Sequence, residues 1–264
     1  MTKDSITRQI TRFQKGQFSK VDDLIAIEKR IRVAVNGKEV LSLYCTPTMV
    51  KELVVGIFMT EGIIEGSWCI DRINIVYGEE VFIDIPADGK VATDDAVITS
   101  GCIGGITFPK RLKIERAKDH FRISHIALSN IFKKFQNAST LYQATGCVHS
   151  AALSDGRELI VLAEDIGRHN AVDKIIGYAI IEGIPFENKV MLASGRLSSE
   201  IVAKCAKWQI PVVASRTSPT SLAVDIAERG GVTVVGFVRG SRFNIYTCPE
   251  RVISTELNAT EYDN

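Results

Sequence analysis

The chain has 264 residues, enough for one large domain or two modest ones. Hydrophobic residues make up 45% and charged residues 24%, and 32 Lys and Arg against 31 Asp and Glu leave a net charge of +1. That balance argues against a protein that coats nucleic acid or a membrane through bulk charge. No stretch approaches the ~20 apolar residues that span a bilayer, and the polar N-terminus has no apolar signal-peptide core, so the expected location is the cytoplasm.

In chain order, the first third reads as strands. Residues 24–35 and 39–45 are apolar runs on either side of Asn36-Gly37, a pair that tolerates positive φ and closes hairpins. A helix follows, with Thr46 as its cap and Pro47 at its first position. Val50, Leu53, Val54, Ile57 and Phe58 recur as one buried stripe, and Gly62 ends it. Further strands are expected near 70–77 and 80–85. Residues 87–109, rich in Gly, Asp, Thr and Ser, read as a long loop of the kind that carries function. They offer little apolar burial, so they are expected to be more mobile than the sheets. The basic segment 110–122 reads as a solvated connector and places a domain boundary at its end.

The second half alternates. A helix is expected at 127–137, strands at 148–153 and 158–163, and a helix at 168–182. Strand 189–193, helix 197–208, strand 211–214, helix 219–229 and strand 232–238 follow, with a last strand near 243–247. Such alternation predicts a parallel sheet with helices on its faces. The expected domains are a strand-rich α+β unit over 1–122 and an α/β unit over 123–264.

In open α/β sheets ligands bind beyond the carboxyl ends of the strands. The residues there are Glu164 to Asn170, including Arg168 and His169; Ser194, Gly195 and Arg196; Ser215 to Ser221, including Thr217 and Ser218; and Arg239 to Arg242. Each turn carries arginine, with hydroxyl or other small residues beside it, and some feed helix N-termini, where free N–H groups favour anions. A phosphate-bearing ligand such as a nucleotide fits this pattern. The competing reading pairs the arginines with Glu164, Asp165 and Asp173 and leaves the serines as caps. There is no GxGxxG and no GxxxxGK[ST], which disfavours a dinucleotide oxidoreductase or a phosphate-hydrolysing enzyme.

Six cysteines are widely spaced, with no CxxC pair. In a reducing compartment they are thiols, most of them small core residues. Cys102 differs, because Gly101, Gly104 and Gly105 surround it within the loop and leave the thiol approachable. Its rival, Cys147, abuts an apolar strand and is expected to be buried, with His149 a satisfied histidine. Cys45, Cys69, Cys205 and Cys248 read as packing residues. A deaminase-type zinc site needs His-x-Glu (or Cys-x-Glu) and Pro-Cys-x-x-Cys, and neither occurs, so no zinc is expected.

Glu164-Asp165-Ile166-Gly167-Arg168-His169-Asn170-Ala171-Val172-Asp173-Lys174 resembles the signature of the formate dehydrogenase accessory sulfurtransferases, the FdhD family. Thr60 to Ile64, Thr145 to His149, Ser194 to Arg196, Ser215 to Thr220 and Gly236 to Arg242 extend the likeness, which runs from about residue 20 to the end. The resemblance implies a cytidine-deaminase-like three-layer α/β/α second half without zinc, in a cytoplasmic homodimer. It implies that a cysteine desulfurase supplies sulfur as a persulfide on Cys102. That sulfur then passes to the molybdenum (or tungsten) bis-molybdopterin guanine dinucleotide cofactor of formate dehydrogenase. The family's cofactor-binding segment matches Phe237, Val238, Arg239, Gly240, Ser241 and Arg242, and a guanine nucleotide is the expected fragment ligand. Many members carry a second loop cysteine where this chain has Gly105, so an internal disulfide between those positions is not open to it. Two other readings stand beside this one: a nucleotide-modifying hydrolase of the deaminase type, and a non-catalytic nucleotide- or cofactor-binding module.

Overall fold

The computed structural model describes residues 4–91, 97–99, 105–107, 116 and 121–254, with 97–99 and 105–107 described through their backbone alone. β1 (Ser5–Gln14) and β2 (Gln17–Ala26) form an antiparallel ribbon. Its turn, Lys15 (φ 51°) and Gly16 (φ 81°), is left-handed at both positions, which matches the twist of paired strands. The sequence reading assigned no element to residues 1–20. Ile6 and Ile10 share a face with Arg8 and Arg12, so the strand lacks a clean apolar alternation. Residues 24–35, expected as one strand, are split at Ile27 and Glu28 between β2 and β3 (Lys29–Val35).

β3 and β4 (Lys38–Cys45) make the expected hairpin, with Asn36 (φ 50°) and Gly37 (φ 78°) in its turn. α1 (Val50–Glu61) carries the expected buried stripe and ends at Gly62, whose N–H donates to Phe58 O at 2.9 Å. Its start differs from expectation: the helix begins at Val50, after Met49 (φ 51°), so neither Thr46 nor Pro47 serves it. Thr46 is held elsewhere, as described below. β5 (Ile64–Glu65) comes next. The expected strand 70–77 is instead a 3-10 turn (Ile70–Arg72) and a short β6 (Asn74–Tyr77), followed by β7 (Val81–Ile85). The sheet order is β4-β3-β7-β6, and Ile31, Val33, Ile83 and Ile85 pack under Leu53, Val54 and Phe58 of α1. The region read as a long loop contains β8 (Lys90–Val91), which pairs with β5, and a two-stranded pair, β9 (Val97–Thr99) and β10 (Gly105–Thr107).

The second half begins at β11 (Ile123–Ser124) and α2 (His125–Ala138), where the Ser124 hydroxyl accepts from Ala127 N. α3 (Thr140–Thr145) was not foreseen; it is too short to show a helical period. Then come β12 (His149–Ser154), β13 (Leu159–Asp165), α4 (Arg168–Ile181), β14 (Val190–Ala193), α5 (Ser199–Lys207) and β15 (Val212–Ser215). α6 (Ser221–Gly230), β16 (Thr233–Arg239), β17 (Arg242–Ile245) and β18 (Val252–Ile253), the partner of β11, complete it. The six-stranded sheet has the order β13-β12-β14-β15-β16-β17. It is mixed rather than parallel: only the β14–β15 and β15–β16 pairs run parallel. The short loop between β12 and β13 makes a hairpin, and a hairpin reverses strand direction.

Helices cover both faces of this sheet. Met191 and Val213 face α4, α5 and α6, while Val190, Leu192, Val212 and Ala214 face Leu128, Phe132 and Phe135 of α2. The two sheets thus have separate cores, and α1 and α4 join them. The join is close because Gly56 and Gly177 face it: a Cβ at Gly56 would lie 2.0 Å from Asp173 O, and one at Gly177 would lie 1.8 Å from Glu52 O. Beside this crossing Lys204 Nζ reaches Asp173 Oδ1 at 2.6 Å and Glu61 Oε1 at 3.4 Å. No helix among the described residues is long and apolar enough to cross a membrane.

Candidate functional site

The turn after β13 is organised by a buried carboxylate. Asp165 Oδ2 lies 2.7 Å from Lys174 Nζ and accepts from Thr46 N at 3.1 Å, while its Oδ1 accepts from Gly167 N at 2.8 Å and Asn170 Nδ2 at 2.9 Å. Lys174 also donates to the carbonyls of Thr46 and Glu164, at 2.9 and 3.1 Å. Burying both charges is tolerable because nearly every polar atom of the pair has a partner. Glu164 accepts from the backbone N–H groups of Leu141 and Tyr142, both at 2.9 Å, at the start of α3. Asp173 is held by Lys204. Lysines and backbone amides thus take the three carboxylates that the competing reading gave to the strand-end arginines. Arg196, Arg216, Arg239 and Arg242 stand exposed.

Several predicted site residues meet where β13 and β14 end. A Cβ on Gly195 would lie 3.2 Å from His149 Nδ1 and 3.3 Å from Arg168 Cβ, so the missing side chain lets those two approach. Ser194 Oγ lies 3.4 Å from His149 Nδ1 and accepts from Ser150 N at 2.9 Å. Burial, with Arg168 and His169 nearby, holds the His149 ring below its usual titration range, so it is neutral at neutral pH. His169 Nε2 meets Ser198 Oγ at 3.0 Å and lies 3.2 Å from Glu200 Oε2, a buried oxygen that accepts no hydrogen bond among the described residues. That contact, with Ser198 and against the opposing effect of burial, pulls the Glu200 carboxyl down to about 2.

The next turns are tied in series. Ser215 Oγ donates to Gly195 O at 2.7 Å and accepts from Thr217 N at 3.1 Å. Leu197 N donates to Ser218 O at 3.2 Å, and Phe237 N donates to Thr217 O at 3.0 Å. Phe237 adopts φ 54°, a left-handed conformation that a bulky residue holds only when its surroundings impose it. It sits in a register shift between Gly236 and Arg239, and that bulge puts Val238 on the α2 face together with Val235. Arg196 and Ser218 belong to this edge but line neither cavity described next.

Two cavities flank α2. The first, about 380 Å³, is bounded by Phe132, Phe135 and Tyr142 on one side and by His149, Ser194 and Arg216 on the other. The second, about 290 Å³, lies between α2 and the β16–β17 turn and takes in Val238, Gly240 and Ser241. Phe132 and Gln136 line both, so the cavities lie side by side along one helix. Of the predicted site residues, Ser194 lines the first cavity and Val238, Gly240 and Ser241 line the second, while the others line neither; α2 forms the shared wall, which the sequence analysis did not single out. Its inward residues Leu128, Ile131, Phe132 and Phe135 form an amphipathic stripe, which does not by itself tell a core from a cavity wall.

Cys147 corrects an expectation. It is exposed and lines the first cavity, because Gly146 (φ 64°) ends α3 and turns the chain outward before β12 begins. Cys69 is likewise exposed, whereas Cys45 and Cys205 are buried as expected. Burial pushes both of those thiols up to about 12. Cys102 lies in the sequence between β9 and β10, outside the described residues. Among the described residues no three His, Cys, Asp or Glu side chains converge as a metal site would require.

The chain is similar to known proteins along nearly its whole length. The FdhD/NarQ family model matches residues 26–253. The sulfur carrier protein FdhD of Bacillus subtilis is 37% identical over 258 residues, covering 94% of this chain and 98% of that one. The protein of the same name from Bacillus pumilus is 38% identical over 252 residues, covering 93% and 96%. A crystal structure assigned as a formate dehydrogenase accessory protein from Desulfotalea psychrophila superposes with a TM-score of 0.77 at 29% identity, covering 94% of this chain and 99% of that one. With the signature segment folded around Asp165 and the strand-end turns gathered at one sheet edge, the chain belongs to the FdhD/NarQ family.

Proposed function

We propose that this protein is a sulfur carrier required for formate dehydrogenase activity. Cys102 in its thiolate form attacks the outer sulfur of a cysteine desulfurase persulfide. The donor leaves as a thiolate, and Cys102 keeps the sulfur as its own persulfide. Cys102 then presents that outer sulfur to the metal centre of a molybdenum (or tungsten) bis-molybdopterin guanine dinucleotide, bound here as cargo before insertion. Residues 1–122 supply the thiol, and residues 123–264, read as a deaminase-like layer order, supply the cofactor site. The working form is a cytoplasmic homodimer.

The observation that carries the cofactor half of this reading is the arrangement along α2. Aromatic rings of the first cavity suit planar heterocycles. Exposed arginines at the strand-end turns suit phosphates, and the nearby carboxylates are occupied by other partners. An elongated ligand lying along α2 would touch both cavities. Gly195, Thr217 and Phe237 hold the edge in shape for it through the bonds described above. The deaminase-type hydrolase would need a metal-ligand set, and the described residues offer no such cluster.

The test is mass spectrometry after incubation with a cysteine desulfurase and cysteine. A sulfur adduct is expected on the Cys102 peptide and not on that of Cys147. Cys102→Ala is expected to fold normally and to leave formate dehydrogenase inactive in cells. Full activity with Cys102→Ala, or an adduct on Cys147 alone, would overturn the proposal. For the cofactor site, calorimetry is expected to show a preference for guanosine diphosphate over adenosine diphosphate.

A further inference from the structure

The tip of the β1–β2 ribbon carries the two most exposed large apolar side chains among the described residues, Phe18 at 77% and Phe13 at 61%. They face each other across the strands, with ring centroids 5.0 Å apart. Residues two apart share a face of a strand, so Lys20 and its partner Thr11 stand directly behind the rings, and Lys20 Nζ donates to Thr11 Oγ1 at 2.8 Å. Lys15 sits in the turn itself. From Ile10 to Val21 the chain has Arg12, Lys15 and Lys20 and no carboxylate. Arg12 reaches back to Asp23 at 3.5 Å, an exposed pair of the kind worth little. Behind the tip the exposed residues are polar, from Thr7 to Gln9 on one strand and from Ser19 to Asp22 on the other, while Ile10 and Val21 are half-buried. The rings are thus an isolated apolar spot ringed by cations. A second exposed group, Tyr44, Val76 and Phe82 on the outer face of the β4-β3-β7-β6 sheet, differs because its charges are paired, Arg30 with Glu80 and Arg32 with Glu39.

We propose that the tip of the β1–β2 ribbon docks reversibly on an anionic phospholipid surface, with Phe13 and Phe18 entering the interface and Arg12, Lys15 and Lys20 meeting the headgroups. Two rings and a turn offer far less than the ~800 Å² that each partner of a stable protein complex buries, whereas a bilayer needs no matching shape. Aromatic rings lie favourably at the boundary between headgroups and acyl chains, and basic side chains beside them gain from anionic lipid. The balanced net charge of the whole chain does not oppose this, because at ~0.1 M salt only charges within about 10 Å of the surface contribute strongly. The contact is peripheral and weak, and it is independent of the sulfur-carrier and cofactor readings.

The test is sedimentation of the full-length protein with vesicles. It is expected to pellet with mixed phosphatidylglycerol and phosphatidylcholine vesicles, to stay in solution with phosphatidylcholine alone, and to be released by high salt. The double variant Phe13→Ser with Phe18→Ser is expected to lose the binding while keeping the melting midpoint, since both side chains are exposed. Lys20→Gln is expected to weaken binding about fivefold, the scale of one basic residue at an anionic surface. Phe82→Ser, on the charge-paired sheet face, should bind like the unsubstituted protein. No binding to the anionic vesicles, equal binding to neutral ones, or binding that survives in the double variant would each overturn the proposal. So would a double variant that fails to pellet only because it has changed oligomeric mass by light scattering, which would make the tip a contact between copies of this chain.

Discussion

Asp165 and Lys174 meet at 2.7 Å with neither side chain exposed, and the same two side chains grip both backbone polar groups of Thr46. A single ion pair thus fastens the connection before α1 to the turn between β13 and α4. Removing one partner would leave the other charge buried and uncompensated. Lys174→Met is therefore expected to cost about 3–5 kcal/mol in a urea melt. The double variant Asp165→Leu with Lys174→Met is expected to lose less than the sum of the single changes.

The crossing of α1 and α4 tolerates no side chain. Gly56→Ala and Gly177→Ala each drive a Cβ into a backbone carbonyl, which cannot turn aside as a flexible side chain would. Each is expected to destabilise by about 3 kcal/mol or more, or to prevent folding. Gly78→Ala, where the nearest atom is an ordinary 3.5 Å away, is the control and should change the melting midpoint little.

Acid should weaken the contact between His169 and Glu200. The Glu200 carboxyl titrates at about 2 when folded against an ordinary 4.5, chiefly through His169. A carboxyl lowered by folding adds stability that is present above its unfolded value and is lost as pH falls toward the folded one. The stability difference between the unsubstituted protein and Glu200→Gln should therefore shrink between about pH 5 and about pH 3. A difference that stays constant across that window would contradict the pairing.

Thiol reactivity should sort by position. Cys69 and Cys147 are exposed and should react with a maleimide in the native protein. Cys45 and Cys205, buried with thiols pushed up to about 12, should react only after unfolding. Peptide mapping before and after denaturant reads this directly.

Long periodic segments and strand–helix alternation were legible in the sequence, and α1, α4, α5 and α6 lie close to their expected positions. What escaped had local signals that conflicted or were too short. The β1–β2 ribbon interleaves arginines with its isoleucines. α3 has too few residues to display a period. Thr46 and Pro47 look like a helix start, but the contacts that claim Thr46 lie more than a hundred residues away in sequence, and no local window contains them. The candidate site was legible at its turns, because arginine, serine and glycine after a strand form a visible pattern. Its α2 wall was not. Whether a helix face meets a core or a cavity depends on what lies across from it, and Phe132 meets both.

The joint at Asp165 also bears on how members of this lineage can diverge. Within the segment from Glu164 to Lys174, Asp165, Gly167, Asn170 and Lys174 are engaged in holding the turn, and Glu164 in starting α3. Selection for a folded chain alone would preserve them. A descendant that lost the thiol at position 102 would still need the joint and would still be recognised by it. Possession of the segment thus records inherited architecture and does not by itself report on the chemistry at Cys102.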